Sequence, residues 1–510
     1  MRIMKLDKNK LKRSIDQIDN YTVVKKTPLL KQDQLSFRFK NNIFLKREDL
    51  QTVHSFKIRG AFNKLSKLST ASLKRGVIAA SAGNHAQGVA LGAKKLKIRS
   101  LIVMPETTPL IKINAVRSYG AEVVLHGESY SEAYQYAKKI EKKEKLCFIH
   151  PYDDPEVIAG QGTIAKEILE NFNQPIYAIF CCVGGGGLLA GISSYVKAIN
   201  PKIKVIGVEA LGAEAMTKSL KSKRRVTLRQ VALFADGAAV KQVGEHTYDL
   251  CKQYVDEMIV VDNDAICAAI KDVYEDSRTI LEPAGALAVA GIKSYVEKNN
   301  ISDKNIIGIA SGANINFDRL RFVSERAEIG EQREALLAVT IPEKPGAFKS
   351  FCELLGKRNI TEFNYRFADK SSAQIFTGIS IENLQEVKEI IGALESSGLK
   401  AIDLTADEVA KLHLRHMVGG HAPNVKNETV YRFEFPEKPG ALMNFLKHLN
   451  KGWNISLFHY RNHGADTARV LVGIQVPPKQ KQTFKDFLSH LGYPYWDEST
   501  NPSYQLFLGK

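Results

Sequence analysis

The chain has 510 residues, enough for about three domains, and its 44% hydrophobic and 25% charged content is that of a folded globular protein. The net charge is +17, but the basic residues are scattered singly and in pairs, Lys221 to Arg225 being the densest run, and no nucleic-acid-binding motif accompanies them. No segment reads as a membrane span, because the longest apolar stretch, Ile176 to Ile192, is broken by four glycines.

Met1 to Asn20 is basic but holds three aspartates and no apolar run, a poor signal or transit peptide. From residue 40 to residue 320 short apolar runs alternate with helical patterns. Ile43-Phe44-Leu45 leads through the charged Lys46-Arg47-Glu48-Asp49 to His54-Ser55-Phe56-Lys57-Ile58-Arg59-Gly60-Ala61. Gly76 to Ala80 reads as a strand. Asn84 to Leu96 reads as a helix with Ala86, Val89, Ala90, Ala93 and Leu96 on one face. Ser100 to Met104 is the next strand, Pro109 to Tyr119 the next helix and Val123 to Leu125 a further strand. Ser129 and Glu132 form a capping box for a helix running toward Glu141. Cys147 to Ile149, Ile176 to Val183, Val205 to Val208 and Ile306 to Ile309 read as strands, and Leu188 to Ile199 as a helix. This βαβα order predicts a doubly wound, mainly parallel sheet, whose ligands bind at the carboxyl ends of strands. The six cysteines, Cys147, Cys181, Cys182, Cys251, Cys267 and Cys352, show no CxxC or metal-ligand spacing and read as reduced thiols of a cytosolic protein.

The pattern changes near residue 320. Arg319 to Glu334 is highly charged and reads as a helical neck. Beyond it the chain repeats itself. Ile341-Pro-Glu-Lys-Pro-Gly-Ala347 recurs 94 residues later as Phe435-Pro-Glu-Lys-Pro-Gly-Ala441. Asn359-Ile-Thr-Glu-Phe-Asn-Tyr-Arg366 recurs 95 residues later as Asn454-Ile-Ser-Leu-Phe-His-Tyr-Arg461. Each copy reads as strand, Pro-Gly turn, helix and strand, and the turn sets a helix N-terminus where a carboxylate is favoured. The expected organisation is a catalytic domain over 1–320, a neck over 321–334 and two small modules over 335–410 and 411–510.

The chemistry gathers at predicted strand ends. Lys57, between Phe56 and Ile58 at a helix start, is a candidate for burial, which lowers a lysine's pKa and frees the amine for Schiff-base formation; a solvated charge is the alternative. Gly184-Gly185-Gly186-Gly187 follows a strand and opens a helix at Leu188, so that several backbone N–H groups converge on a phosphate. Gly185-x-Gly187-x-x-Ala190, with Glu209 further on at a strand end, also matches the dinucleotide fingerprint and keeps a nicotinamide oxidoreductase open. Ser311-Gly312-Ala313-Asn314 offers a small hydroxyl at a turn. Ser81-Ala82-Gly83-Asn84-His85 reads either as a carboxylate nest or as plain helix capping by Ser81 or Asn84. A lysine, a phosphate cup and a small hydroxyl are what a protein needs to hold pyridoxal phosphate, which brings the electron sink while the protein orients it.

Ser55 to Ala61, Ser81 to His85, Gly184 to Leu188 and Ser311 to Asn314 resemble the fold-type II pyridoxal-phosphate enzymes, and within them the threonine deaminases (threonine ammonia-lyases). The repeat resembles the paired ACT-like regulatory modules of the biosynthetic form, and the likeness covers residues 20–508. The resemblance implies two doubly wound α/β subdomains followed by two α+β ACT-like modules. It implies L-threonine as substrate, with L-serine as the alternative, and 2-oxobutanoate and ammonia as products in the first step of isoleucine biosynthesis. By the same resemblance Lys57 carries pyridoxal phosphate as a Schiff base and then acts as the base at Cα. Phe56 packs near the ring, Asn84 hydrogen-bonds its phenolic oxygen, and Ser311 meets its nitrogen. Gly184, Gly185, Gly186, Gly187 and Leu188 hold the phosphate. Ser81, Gly83, Asn84 and His85 receive the substrate carboxylate. Related serine racemases carry a serine where this chain has Ala82, which implies negligible racemisation here. The modules are implied to bind isoleucine as inhibitor, with valine opposing it, through Tyr365, Arg415, Tyr460 and Arg461, arginine suiting the effector carboxylate. No metal is assigned. A cytoplasmic homotetramer without nucleic-acid or membrane partners is expected.

Overall fold

Hydrophobic strands separated by helices form two sheets in the N-terminal part of the chain. In the computed structural model, which describes residues 6–508 apart from 368–370, 413, 417–418, 437–439, 451 and 462–466, the chain separates into two units, Met1–Ala327 and Glu328–Lys510. The strands of the first unit are β1 Leu29–Lys31, β2 Asn42–Arg47, β3 Val77–Ala80, β4 Ser100–Met104, β5 Glu122–Leu125, β6 Cys147–Phe148, β7 Ala178–Cys182, β8 Lys204–Ala210, β9 Glu257–Val261 and β10 Asn305–Ala310.

The smaller sheet has the order β5-β4-β3-β6 and is parallel throughout. Val77 and Ala79 of β3 enter one apolar core and Ile78 and Ala80 another. That is the period-two alternation of a parallel strand covered on both faces. The larger sheet has the order β1-β2-β10-β7-β8-β9 and is parallel except for its antiparallel edge strand β1. Pairing of β2 with β10 sets Asn42 opposite Asn305, so the two ends of this unit's sequence become neighbours. The helix Asn84–Leu96 lies close to the helix Lys57–Ser66, and glycine makes the approach possible. A Cβ on Gly88 would stand 3.2 Å from the backbone nitrogen of Ile58.

The second unit is one antiparallel sheet built from both sequence repeats. Its strands are β11 Glu334–Pro342, β12 Ile360–Arg366, β13 Ser372–Ser380, β14 Lys400–Asp403, β15 Glu428–Pro436, β16 Asn454–Arg461, β17 Thr467–Gln475 and β18 Tyr495–Asp497. Their order is β14-β11-β13-β12-β16-β17-β15-β18, so the repeats meet where β12 pairs with β16. Phe351, Phe363, Phe433, Phe445 and Phe458 are fully buried in the shared core. The expected neck is shorter than its charge run. The helix Arg319–Gly330 stops at Gly330, and Glu334 opens β11 instead. The reason is tertiary: the Glu334 carboxylate is taken by Thr361 and by Arg415, the latter at 2.8 Å. In the second repeat, 437–439 of the Pro-Gly turn lie outside the described residues. All six cysteines are unpaired, and no described helix is long and apolar enough to cross a membrane.

Candidate active site

Lys57 is the first residue of its helix, after the short turn Glu48–Leu50 that follows β2. Burial pushes its amine down to about 8, in the direction expected at the positive end of a helix dipole. Nζ donates to the Pro151 carbonyl at 3.3 Å and lies 5.2 Å from the Phe56 ring centroid. No carboxylate forms an ion pair with it among the described residues. The amine is therefore held in place without being held charged.

The glycine run lies between β7 and the helix Gly187–Ile199, with Gly186 at φ +94° as the N-cap. A side chain there is excluded by shape as well as by conformation. A Cβ on Gly185 would overlap the ring of Tyr152, and one on Gly184 would stand 2.7 Å from the Ala238 carbonyl oxygen. The Gly185 carbonyl accepts from Thr247 Oγ1 at 2.6 Å and from Gly244 N at 3.3 Å. The first N–H groups of the helix lack intrahelical acceptors, which makes the loop and the start of Leu188 an anion cradle. Glu209, the acid of the dinucleotide pattern, is fully buried and accepts from Met216 N, Thr217 N and Thr217 Oγ1 at 2.8, 2.8 and 2.6 Å. Spent on a helix terminus, it is not available to a ribose.

Backbone contacts stitch the remaining segments to Lys57. Phe56 N donates to the Ser311 carbonyl at 3.1 Å, Ser55 bridges Gly312, and Ala313 N donates to the His54 carbonyl at 2.9 Å. Asn314 Nδ2 donates to Asn84 Oδ1 at 2.7 Å and to the Val53 carbonyl at 2.8 Å. The Ser311 hydroxyl donates to the Ala284 carbonyl at 3.3 Å and takes the Cys182 thiol at 3.2 Å. Ser81 Oγ accepts from Gly83 N at 3.2 Å. His85 Nε2 donates to the Ile149 carbonyl at 2.9 Å, and burial drives its imidazole down to about 3. It is neutral, with a bare Nδ1.

Pyridoxal phosphate fits these residues. Two buried polar atoms of the site, Ser55 Oγ and His85 Nδ1, have no protein partner, and the glycine cradle has room for no side chain. The structure thus brings together Lys57, Phe56, Asn84, Ser311, the glycine run and the Ser81–His85 segment. The sequence reading missed Tyr152, which walls the glycine loop, and Cys182, which touches Ser311. It also missed Glu282, whose carboxylate accepts from Asn84 Nδ2 at 2.6 Å. Leu281-Glu282-Pro283 looks like an ordinary acidic residue ahead of a helix, and only Pro283 at the helix start gives a local signal.

In the second unit Tyr365 and Tyr460 lie buried on the β12–β16 seam, opposite Phe458 and Phe363. Tyr365 OH donates to Glu343 Oε2 at 2.6 Å, and Glu343 Oε1 accepts from Asn454 at 3.0 Å. Arg415 is buried between two carboxylates, Glu334 at 2.8 Å and Glu362 at 2.7 Å. The Arg461 backbone pairs with Glu362; its side chain lies outside the described residues.

Residues 21–312 match the family described as pyridoxal-phosphate dependent enzyme, and residues 325–414 and 419–508 match the C-terminal regulatory domain of threonine dehydratase. The chain is 56% identical over 491 residues to the protein named L-threonine dehydratase biosynthetic IlvA of Burkholderia multivorans, covering 96% of this chain and 97% of that one. The protein of the same name from Escherichia coli is 49% identical over 497 residues, 97% of this chain and 96% of that one. Among solved structures, the processed form of threonine deaminase isoform 2 from Solanum lycopersicum superimposes with a TM-score of 0.62 at 49% identity, covering 63% of this chain and 95% of that one. Maize serine racemase gives 0.59 at 31% identity, covering 63% and 97%.

Proposed function

Because the chain belongs to the pyridoxal-phosphate dependent enzymes and carries the C-terminal regulatory domain of threonine dehydratase, we propose that it deaminates L-threonine to 2-oxobutanoate and ammonia and is restrained by isoleucine. The observation that carries the catalytic reading is Lys57, a buried amine poised near pH 8 on a segment that Phe56 N ties to the Ser311 carbonyl. When bound, pyridoxal phosphate supplies the carbonyl carbon that captures the substrate amine and the electron sink that acidifies Cα–H.

The protein's own groups do the rest. Lys57 Nζ, half deprotonated near pH 8, accepts the Cα proton. Gly184 to Leu188 would hold the cofactor phosphate through backbone N–H groups. Ser311 would offer the ring nitrogen an uncharged hydroxyl, which forces no proton onto it. Asn84 would hold the phenolic side of the ring. The Ser81–His85 segment offers backbone N–H groups and the Ser81 hydroxyl to the substrate carboxylate, while the His85 ring, its one N–H spent on Ile149, lines the site as an uncharged wall. Ala82 has no group able to return a proton to the opposite face of Cα.

The second unit takes small-molecule effectors. Isoleucine as inhibitor, with valine opposing it, suits the aromatic seam around Tyr365 and Tyr460. Arg461 is the proposed partner of the effector carboxylate, while Arg415 braces β11 and β12 through Glu334 and Glu362. Unpaired cysteines suit a cytosolic setting, and a homotetramer is the proposed assembly, to be checked by light scattering. The central experiment follows 2-oxobutanoate release from L-threonine with and without isoleucine, for the wild type and Arg461→Ala. Turnover with isoleucine inhibition that Arg461→Ala relieves supports the whole reading. Turnover insensitive to isoleucine removes the effector assignment, and no keto acid from cofactor-saturated protein removes the reaction.

A further inference from the structure

Glu282 sits at the N-cap of the helix Pro283–Asn299, where an acidic side chain ordinarily folds back onto the first N–H groups. It makes no such cap. The carboxylate turns the other way, into the cofactor site, is 4% exposed, and accepts from Asn84 Nδ2 at 2.6 Å. The room it occupies is made by glycine. A Cβ on Gly312 would overlap Glu282 Oε1. The chain gives up a helix cap and commits a glycine to place this one carboxyl group.

What the carboxyl group does follows from the inventory of the asparagine. Asn84 Oδ1 accepts from Asn314 Nδ2 at 2.7 Å while Asn84 Nδ2 donates to Glu282. The carboxamide is pinned at both ends, and the two contacts fix which end is oxygen and which nitrogen. An amide nitrogen has two hydrogens. One is spent on Glu282, and the other is left at a fixed angle.

We propose that Glu282 is a positioning residue of the cofactor site, holding the Asn84 carboxamide so that its second Nδ2 hydrogen meets the phenolic oxygen of the pyridoxal ring, and that Glu282 gaining or losing a proton changes how that oxygen is held. This rests on Lys57 and Asn84 being the cofactor's ligands, as read above. Burial, with Asp236 as a further push, raises the Glu282 carboxyl to about 7. The charged and titratable groups facing it come from four elements. Asp236 lies on the short turn Asp236–Ala238 and is itself paired with Lys112 at 2.6 Å and Arg319 at 3.3 Å. Lys112 belongs to the helix Leu110–Ser118 and Lys57 to the helix Lys57–Ser66, and both favour the charged carboxylate. Cys182 faces it from the end of β7. A protonation change at this point alters the acceptor of the very amide proposed to meet the ring.

The test is a titration of cofactor-free protein with pyridoxal phosphate, read by visible absorbance and circular dichroism of the bound band. Wild type, Glu282→Gln and Glu282→Ala are compared between about pH 6 and about pH 8. Glu282→Gln keeps an acceptor for Asn84 but cannot ionise. It should bind within about threefold of wild type and lose the part of the band's pH response that wild type shows. Glu282→Ala should bind about tenfold more weakly, with reduced dichroism, because the ring loses a fixed donor. Equal affinity and dichroism in Glu282→Ala, or an unchanged pH response in Glu282→Gln, overturns the proposal. If Glu282→Ala fails to fold, the Glu282→Gln response decides alone. A wild type without any visible band would instead bring down the cofactor reading, so the two failures are told apart.

Discussion

Two lysines eleven residues apart in the chain are both buried, yet they live in opposite chemical surroundings. Lys46 contacts Glu167 at 2.5 Å and the Thr27 carbonyl at 2.5 Å. Next to it Arg59 bridges Glu48 at 2.7 Å and Glu167 at 2.6 Å, all of them sequestered from water. Lys57 has a backbone carbonyl and an aromatic ring and no ion pair. Burial lowers both amines; around Lys46 the carboxylates of Glu167 and Glu48 pull back toward the charged form, Glu167 in direct contact, whereas at Lys57 Cys182 and Glu282 pull the same way without an ion pair. Desolvation alone therefore does not make a lysine reactive. What matters is whether the fold also provides the anion that keeps it protonated. One lysine fastens the helix Pro155–Asn171 to β2, and the other is left able to do chemistry.

The largest effect should come from removing the second lysine. Lys57→Ala is expected to lower 2-oxobutanoate release by on the order of 10⁴-fold, with the melt of cofactor-free protein little changed. A variant retaining a tenth of wild-type turnover would sink the contrast drawn here. Next comes the ion cluster. Glu167→Ala leaves Lys46 and Arg59 short of an anion and should cost about 3–5 kcal/mol in urea denaturation, while turnover per folded molecule stays within about threefold. Stability unchanged by this variant would mean that the cluster is not what fastens these elements.

A smaller effect separates the two lysines by pH. In cofactor-free protein the folded Lys57 releases its proton near 8, whereas the unfolded chain holds it up to the ordinary lysine value of 10.5. Between those values the unfolded state binds more protons, so stability rises with pH, by up to about 1.4 kcal/mol per pH unit. Lys57→Met should flatten that rise in denaturant midpoints measured across the window, and an identical rise in the variant would refute it. The smallest expected signal concerns Ala82. Incubation with L-serine should give pyruvate and ammonia with negligible D-serine, and substantial D-serine would show that another group reaches the far face of Cα.

Local pattern carried much of the first unit. The helix Asn84–Leu96 and the strand Ser100–Met104 fall where their periodicity places them, because an apolar face repeating every three to four residues, or a short apolar run, is set by the residues themselves. The glycine run was legible for the same reason. Partners distant in sequence were not. Glu282 reaches Asn84 from 198 residues away, and β2 finds β10 only because the intervening chain folds between them. No spacing rule encodes such meetings. The charged run around Lys46 does not announce its burial either, since the acid that sets its character, Glu167, arrives from a helix 121 residues on. The shortened neck belongs to the same class: Glu334 looks like one more charge in a run until Thr361 and Arg415 claim it.

The seam between β12 and β16 has a consequence for how the second unit tolerates being cut. Each repeat lends the other a strand partner across the middle of the sheet, with Glu362 to Arg366 zipped against Leu457 to Arg461. A repeat made alone would present that strand, rich in aromatic residues, as a bare edge with unpaired N–H and C=O groups. Such an edge is a template for indiscriminate pairing, so solubility here is a property of the tandem and not of either copy.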